Sequence, residues 1–366
     1  MTSEVLPNLV SLQEAVNATL AKLDVEDFAA RVWKKDPSLW TAEPAAQALI
    51  AGRLGWLDLP TTMQSRGPDL LELAQTIKEE GYKQIVLLGL DNSSLAAVVL
   101  RQALGNVSGY PELIVVDPAN QDQLQLFSYT STIFVISSTS GSLERLPALT
   151  GYFERVRAGK GEQAGENFIA ITNPGTPLER LARDRKFREI FLNPPGISGL
   201  YLALSYSGLV PAALAGYNVR EMLSRAAIMA EECRKPGLDN PGLHLGCIIG
   251  SAALQNLRST SLLLASPVES FGLWVNQLLV ESTSRGLVPI TDEALTIAEL
   301  GRMVVSLQLN GQMDSQLEEL VKKLEEASHP VVRLRLQDLS DLAAEFFRWE
   351  FAISVAAAVL GINPFD

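Results

Sequence analysis

Cysteine is nearly absent from this 366-residue chain, which has only Cys233 and Cys247. Two cysteines with no Cys-x-x-Cys spacing exclude a disulfide framework, and a reducing, cytoplasmic setting is expected. Histidine is equally scarce, with His244 and His329 alone. His244 falls in an apolar helical pattern and His329 precedes Pro330 where a strand begins, so both read as structural. No metal constellation and no Ser-His-Asp arrangement stands out, and neither metal nor cofactor is expected. Positive charge is in deficit: 30 Lys and Arg against 42 Asp and Glu leave a net charge of −12. That balance argues against nucleic acid or an anionic membrane as the main partner. Every apolar run is interrupted well before the ~20 residues that cross a bilayer. Residues Met1–Val5 show no basic stretch leading into an apolar core, so no signal peptide is expected. Gly-x-x-x-x-Gly-Lys-[Ser/Thr] is missing, and Gly159-Lys160-Gly161 reads as a turn in a polar loop.

What is present is a well-patterned globular chain, 47% apolar and 20% charged, long enough for two domains. Residues 9–32 and 42–56 read as helices, broken at Asp36-Pro37 and Pro60. Trp33, Trp40 and Trp56 read as packing residues that fasten this region to a domain. From residue 68 helices alternate with short apolar runs: Gln84–Gly89, Leu113–Asp117, Thr132–Ser137, Phe168–Thr172 and Glu189–Asn193. Residues 199–233 read as mostly helical, and Arg234–Gly242 as the boundary to a second unit. Alternation then resumes, with strands at Ser261–Ala265, Met303–Gln308 and Val331–Leu336. Continuous apolar strands between helices signal parallel sheets covered on both faces. The expected organisation is a helical N-terminal segment (1–62) followed by two α/β units, 63–233 and 234–366. No sequence repeat relates the two, although their architecture looks duplicated.

The most informative segment is Phe134-Val-Ile-Ser-Ser-Thr-Ser-Gly-Ser142. A β-branched run ends in five hydroxyl residues and a glycine, and Leu143, Leu146, Leu149 and Phe153 follow with helical spacing. Unpaired N–H groups at a helix start, with hydroxyls beside them, can hold a phosphate. The same residues can equally be a capped helix start, since Ser and Thr are good N-caps. Ligands in open parallel sheets sit at the carboxyl ends of the strands, so the loops after Leu88, Val116, Ile136 and Thr172 are the candidate lining. Thr176-Pro-Leu-Glu179 has the form of a helix capping box.

Several segments in order resemble the phosphoglucose isomerase family: Asp36–Trp40, Arg53–Pro60, Val86–Leu95, Ser137–Ser142, Ile171–Glu179, Phe191–Pro195, Leu204–Leu214, Gln277–Thr283, Phe346–Phe351 and Gly361–Asp366. The likeness is closest to the form fused to transaldolase in some bacteria, and association with transaldolase is one of its implications. The resemblance implies two sugar-isomerase (SIS) subdomains, each an α/β/α sandwich, and a homodimer. It also implies a sugar-phosphate ligand and interconversion of glucose 6-phosphate and fructose 6-phosphate through an enediolate. That chemistry needs a general base, a cation for the enediolate and groups that open the sugar ring.

The resemblance assigns the base to Glu281, which could otherwise be a solvated glutamate near a helix end. It assigns phosphate and sugar binding to Gly89, Asn92, Ser93, Ser138, Thr139, Ser140 and Ser142. Departures from the family cluster at the same places. Thr139 stands where relatives have lysine, and Leu143 where they have threonine. Asp91 and Asn92 replace glycines, and Asp91 brings negative charge toward an expected phosphate. Leu200 stands where relatives carry the enediolate-stabilising arginine; Arg285, shortly after Glu281, is a candidate replacement cation. The family's catalytic lysine lies a few residues beyond the Asn-x-Phe-Asp motif, within which this sequence stops at Asp366. The ring-opening histidine, which the family supplies from the neighbouring subunit, has no counterpart that aligns here. Two functional readings follow: an isomerase with an incomplete catalytic set, or a binding or regulatory module that kept the pocket and lost turnover. A third is a structural partner domain.

Overall fold

A computed structural model describes residues 4–9, 12–90, 92–116, 127–142, 147–197, 199–257, 259–283, 288–290, 302–312 and 314–365. The chain divides into two compact units, Thr61–Arg220 and Met1–Pro60 with Glu221–Asp366.

The chain opens with a strand, β1 (Glu4–Asn8), then helices α1 (Gln13–Val25), α2 (Phe28–Trp33), α3 (Pro44–Ala51) and a short α4 (Leu59–Thr62). The expected single helix over 9–32 is therefore two. Asp27 breaks it in the left-handed region (φ 51°), which Asp tolerates better than most residues.

Within Thr61–Arg220 the order is α5 (Gly67–Glu79), β2 (Gln84–Gly89), α6 (Leu95–Leu104), β3 (Glu112–Val116), β4 (Thr132–Ser138), α7 (Pro147–Lys160), β5 (Phe168–Thr172), α8 (Pro177–Asp184), β6 (Glu189–Leu192) and α9 (Tyr206–Leu214). All five strands are parallel, in the order β3-β2-β4-β5-β6. β4 and β5 are buried along their whole length, which is why they read as unbroken apolar runs. On one face Leu149, Phe153 and Val156 of α7 and Leu178 and Ala182 of α8 pack on Phe134, Ile136, Phe168 and Ala170. Phe168 stacks on Phe134 (5.4 Å) and Phe187 (5.1 Å). Helix α9, packed with α5 and α6, covers β2 on the other face. Because the chain starts in the middle of the sheet and runs out both ways, β2 and β4 flank a topological switch point.

The other unit continues with α10 (Val219–Glu232), α11 (Pro241–Leu254), β7 (Ser259–Leu264), α12 (Phe271–Thr283), β8 (Val288–Ile290), β9 (Arg302–Leu309), α13 (Ser315–Glu326), β10 (Val331–Leu336) and α14 (Leu342–Leu360). Its sheet runs β1-β10-β9-β7-β8, with β1 antiparallel at one edge and the rest parallel. Without β1 the order repeats that of the first sheet, second-first-third-fourth strand. Helix α14 is buried on all sides for most of its length. It lies so close to α11 that a Cβ on Gly246 would sit 2.4 Å from the Ala352 carbonyl oxygen. The tryptophans bind the N-terminal helices to it. Trp33 stacks on Phe347 (5.9 Å), Trp56 meets the same ring (5.6 Å), and Trp40 Nε1 donates to the Ser354 carbonyl (2.8 Å). The α/β class, two parallel sheets and helical N-terminus are those expected from the sequence.

Candidate functional site

At the switch point two turns are fastened side by side. Gly89 ends β2 opposite Ser137 of β4. Beyond it the chain folds back so tightly that a Cβ on Gly89 would lie 2.3 Å from Ser94 Cβ and 2.9 Å from Ser94 N. Leu90 N–H and Ser93 Oγ both donate to the Ser137 carbonyl, each at 2.9 Å. Ser93 is thereby buried and holds the turn to β4. Asn92 is exposed with φ 59°, a backbone that glycine would take without strain and that Asn tolerates.

The hydroxyl loop leaves β4 at Ser138. Ser138 Oγ is buried, accepts from Gly141 N–H (3.0 Å) and lies 3.3 Å from Ser140 Oγ. Ser140 is exposed, while Thr139 and Ser142 are half-buried. Gly141 adopts φ 59°, and a Cβ there would meet Thr176 Cβ at 2.5 Å. Thr176 caps α8 by accepting from Glu179 N–H (3.2 Å), and Glu179 Oε2 reaches back past the cap to accept from Gly175 N–H (2.6 Å), a bond one residue earlier than in the capping box. That N–H, followed by Arg183, holds the Glu179 carboxyl below its usual range. Thr176 Oγ1 also lies 2.8 Å from Thr172 Oγ1 at the end of β5. The described helix α7 begins at Pro147, and Leu143 and Leu146, expected on its apolar face, lie outside the described residues.

Two contacts at this edge involve residues that the sequence did not single out as binding residues. Ser137 Oγ donates to Ser207 Oγ (3.3 Å), which brings the first turn of α9 to the end of β4. Asn173 and Asn193, each the first residue past a strand, approach through their amides at 3.5 Å. The signal available was positional, since both are Asn-Pro pairs that follow an apolar run.

Seven of the eight candidate residues (Gly89, Asn92, Ser93, Ser138, Thr139, Ser140 and Ser142) are thus collected at one sheet edge. No described residue of the turns 89–93, 138–142, 172–176 or 193–197 carries positive charge. Leu200 is 3% exposed and offers no donor. Glu281 belongs to the other unit, in the last turn of α12. Its carboxylate is half-buried and accepts from Gln277 Nε2, one turn earlier, at 2.6 Å. His244 is half-buried on α11, where desolvation lowers its pKa, and His329 is buried ahead of β10. Asp91, Arg285 and Asp366 lie outside the described residues. Among the described residues no group of three or more His, Cys, Asp or Glu could hold a metal ion, and no helix is long and apolar enough to cross a membrane.

The fold is that of SIS-type sugar isomerases. A hypothetical protein from Thermus thermophilus superposes with a TM-score of 0.81 at 19% identity, covering 99% of this chain and 96% of that one. A glucose-6-phosphate isomerase from Chlamydia trachomatis superposes with a TM-score of 0.67 at 18% identity, covering 93% of this chain and 75% of that one. No family model matches. In sequence the chain is distantly homologous to glucose-6-phosphate isomerases. It is 28% identical over 254 residues to that of Carboxydothermus hydrogenoformans, covering 64% of this chain and 54% of the relative. It is 24% identical over an alignment of 382 positions to that of Rubrobacter xylanophilus, covering 88% of each. The match to the first of these relatives spans about half of its length.

Proposed function

We propose that this chain binds a sugar phosphate at the switch point of the β3-β2-β4-β5-β6 sheet, on a glucose-6-phosphate isomerase-type scaffold with an incomplete catalytic set. The observation that carries the reading is the pair of turns, 89–93 and 138–142, locked together through the Ser137 carbonyl where open parallel sheets take ligands. Backbone N–H groups and hydroxyls there suit a phosphate. The distant homology to glucose-6-phosphate isomerases supports the same ligand class. In an isomerase of this type Glu281 is the base. It takes the proton from C2 of the open aldose and returns it to C1, while a second proton moves from O2 to O1. The hydrogen bond from Gln277 is consistent with that role, because it fixes the carboxylate's orientation. By the same resemblance the active assembly is a cytoplasmic homodimer, and transaldolase is a candidate partner.

A second reading, binding without turnover, is favoured by the environment of Leu200. By the resemblance it occupies the position of the enediolate-stabilising cation, and it is buried and apolar; loss of one such donor typically costs ~10²–10³ in rate. A coupled assay for fructose 6-phosphate to glucose 6-phosphate, run beside Glu281→Gln, separates the two. Turnover abolished by Glu281→Gln supports an isomerase and sinks the binding module. Tight sugar-phosphate binding with no turnover above the variant supports the module, and neither binding nor turnover rejects both.

A further inference from the structure

Asn193 is 2% exposed, and its amide oxygen has no hydrogen-bond partner among the described residues. Buried polar atoms are nearly always paired, so an orphan of this kind marks a group that something else satisfies. Its position says what that is. Asn193 N–H donates to the Thr172 carbonyl (2.8 Å), which extends the β5–β6 pairing to the carboxyl edge of the sheet. Ile190 packs on the α7–α8 side, whereas Phe191 meets Tyr206 of α9 at 5.0 Å. Side chains alternate along a strand, so Asn193 shares the α9 face with Phe191. Ser137 shares that face too, through Ser207. The amide nitrogen of Asn193 is only loosely engaged, at 3.5 Å from Asn173 Oδ1, the outer limit of a hydrogen bond.

We infer that Asn193, with Asn173, forms a hydroxyl-recognition subsite for the carbon chain of the phosphorylated ligand, next to the phosphate-binding turns. The inference rests on the sugar-phosphate reading and adds the residues that tell a sugar phosphate from bare phosphate. β6 stands two strand spacings from β4, about 9–10 Å. A ligand whose phosphate lies on the Ser138–Ser142 loop therefore extends across β5 to reach β6. There the Asn193 oxygen accepts from a ligand hydroxyl, and the loosely held amide N–H groups donate to a neighbouring one. Both partners are neutral, as a polyol requires. A bound water could satisfy the same oxygen, and it would leave ligand selectivity untouched.

The test is calorimetric titration of the full chain with fructose 6-phosphate and, separately, with inorganic phosphate, for the native protein, Asn193→Leu and Asn173→Ala. Both variants should weaken fructose 6-phosphate at least about tenfold and leave inorganic phosphate within about twofold. Asn173 is half-buried, so its variant serves if Asn193→Leu does not fold, which circular dichroism reports. If native protein binds both ligands and the variants bind them as it does, or weaken both equally, the subsite is overturned while the sugar-phosphate reading stands. If native protein binds neither ligand, both fail.

Discussion

The two sheets repeat one strand order but bury their polar groups differently. In Thr61–Arg220 every buried polar side chain among the described residues is neutral: Ser93, Thr132, Ser137, Ser138, Asn167, Thr172, Asn193, Ser205 and Ser207. Most of them sit at the carboxyl ends of strands or the start of α9. In the other unit, ionisable groups are buried too, among them Asp341, Glu345, Arg348 and Glu350. The turns at the equivalent switch point also differ. After β7, Val268 N–H closes on the Ala265 carbonyl (2.9 Å); after β9, Gln312 N–H closes on the Leu309 carbonyl (3.3 Å). Among the described residues no row of hydroxyls stands there. A duplicated architecture thus buries neutral polar groups in one half, most of them at the carboxyl edge of the sheet, and charge in the other. Buried neutral donors can receive an anion, against which Asp91 in the 89–93 turn sets one carboxylate, whereas buried charge is costly unless paired and contributes nothing to an exposed site.

The comparison breaks most visibly at Gly89. Gly89→Val places a side chain where even a Cβ lies 2.3 Å from Ser94. Overpacking of this kind should cost about 3 kcal/mol, read by urea unfolding, and sugar-phosphate binding should disappear with the turn. An unchanged midpoint would show that the turn has room, and the contrast between the two edges would lose its structural basis. A gain of function sharpens the same contrast. Thr139→Lys supplies a charge-assisted donor to a loop that has none, and phosphate affinity should rise by about 1.5–3 kcal/mol, tenfold or more. Titration with inorganic phosphate checks it; an unaltered affinity would mean that the loop does not face the anion.

Glu350 tests the other half. It is fully buried, neither carboxylate oxygen has a hydrogen-bond partner among the described residues, and desolvation pushes its pKa well above the ordinary 4.5. A carboxyl whose folded pKa is raised contributes its stability in full below the ordinary value and loses it as pH rises through the folded value. The native chain should therefore lose stability as pH climbs above about 4.5, with a slope approaching 1.4 kcal/mol per pH unit from this group. Glu350→Gln should flatten that slope, and urea midpoints measured across pH decide it. A Gln variant with the native slope would assign the pH dependence to other groups.

The sequence made much of this legible because buried parallel strands are written as β-branched runs and their helices as apolar stripes. Both strands it did not reveal contain a proline, Pro7 in β1 and Pro289 in β8, and both lie at edges of their sheet. Proline is tolerated at edges, yet it erases the strand signal. The hydroxyl loop was visible by composition, whereas the Asn173–Asn193 pair was not. Asparagine after a strand is an ordinary turn residue, and only tertiary packing leaves its amide buried and unpartnered. Leu200 was read as a missing cation; the fold adds that the side chain at that position is buried, which no local pattern encodes.

The smallest expected effect isolates the edge that lacks a hydroxyl loop. Gly311 follows β9 with φ 78°, and a Cβ there would meet nothing within 4 Å. Gly311→Ala therefore adds no clash, and only the left-handed backbone opposes it, at about 1 kcal/mol. Melting should drop slightly while fructose 6-phosphate titrates as in the native chain. Gly141 has the same left-handed backbone, but a Cβ there would meet Thr176 at 2.5 Å, so Gly141→Ala should cost stability and also weaken binding. If the two variants instead changed affinity alike, the second edge would have to contribute to the ligand, and the division of labour between the sheets would fall.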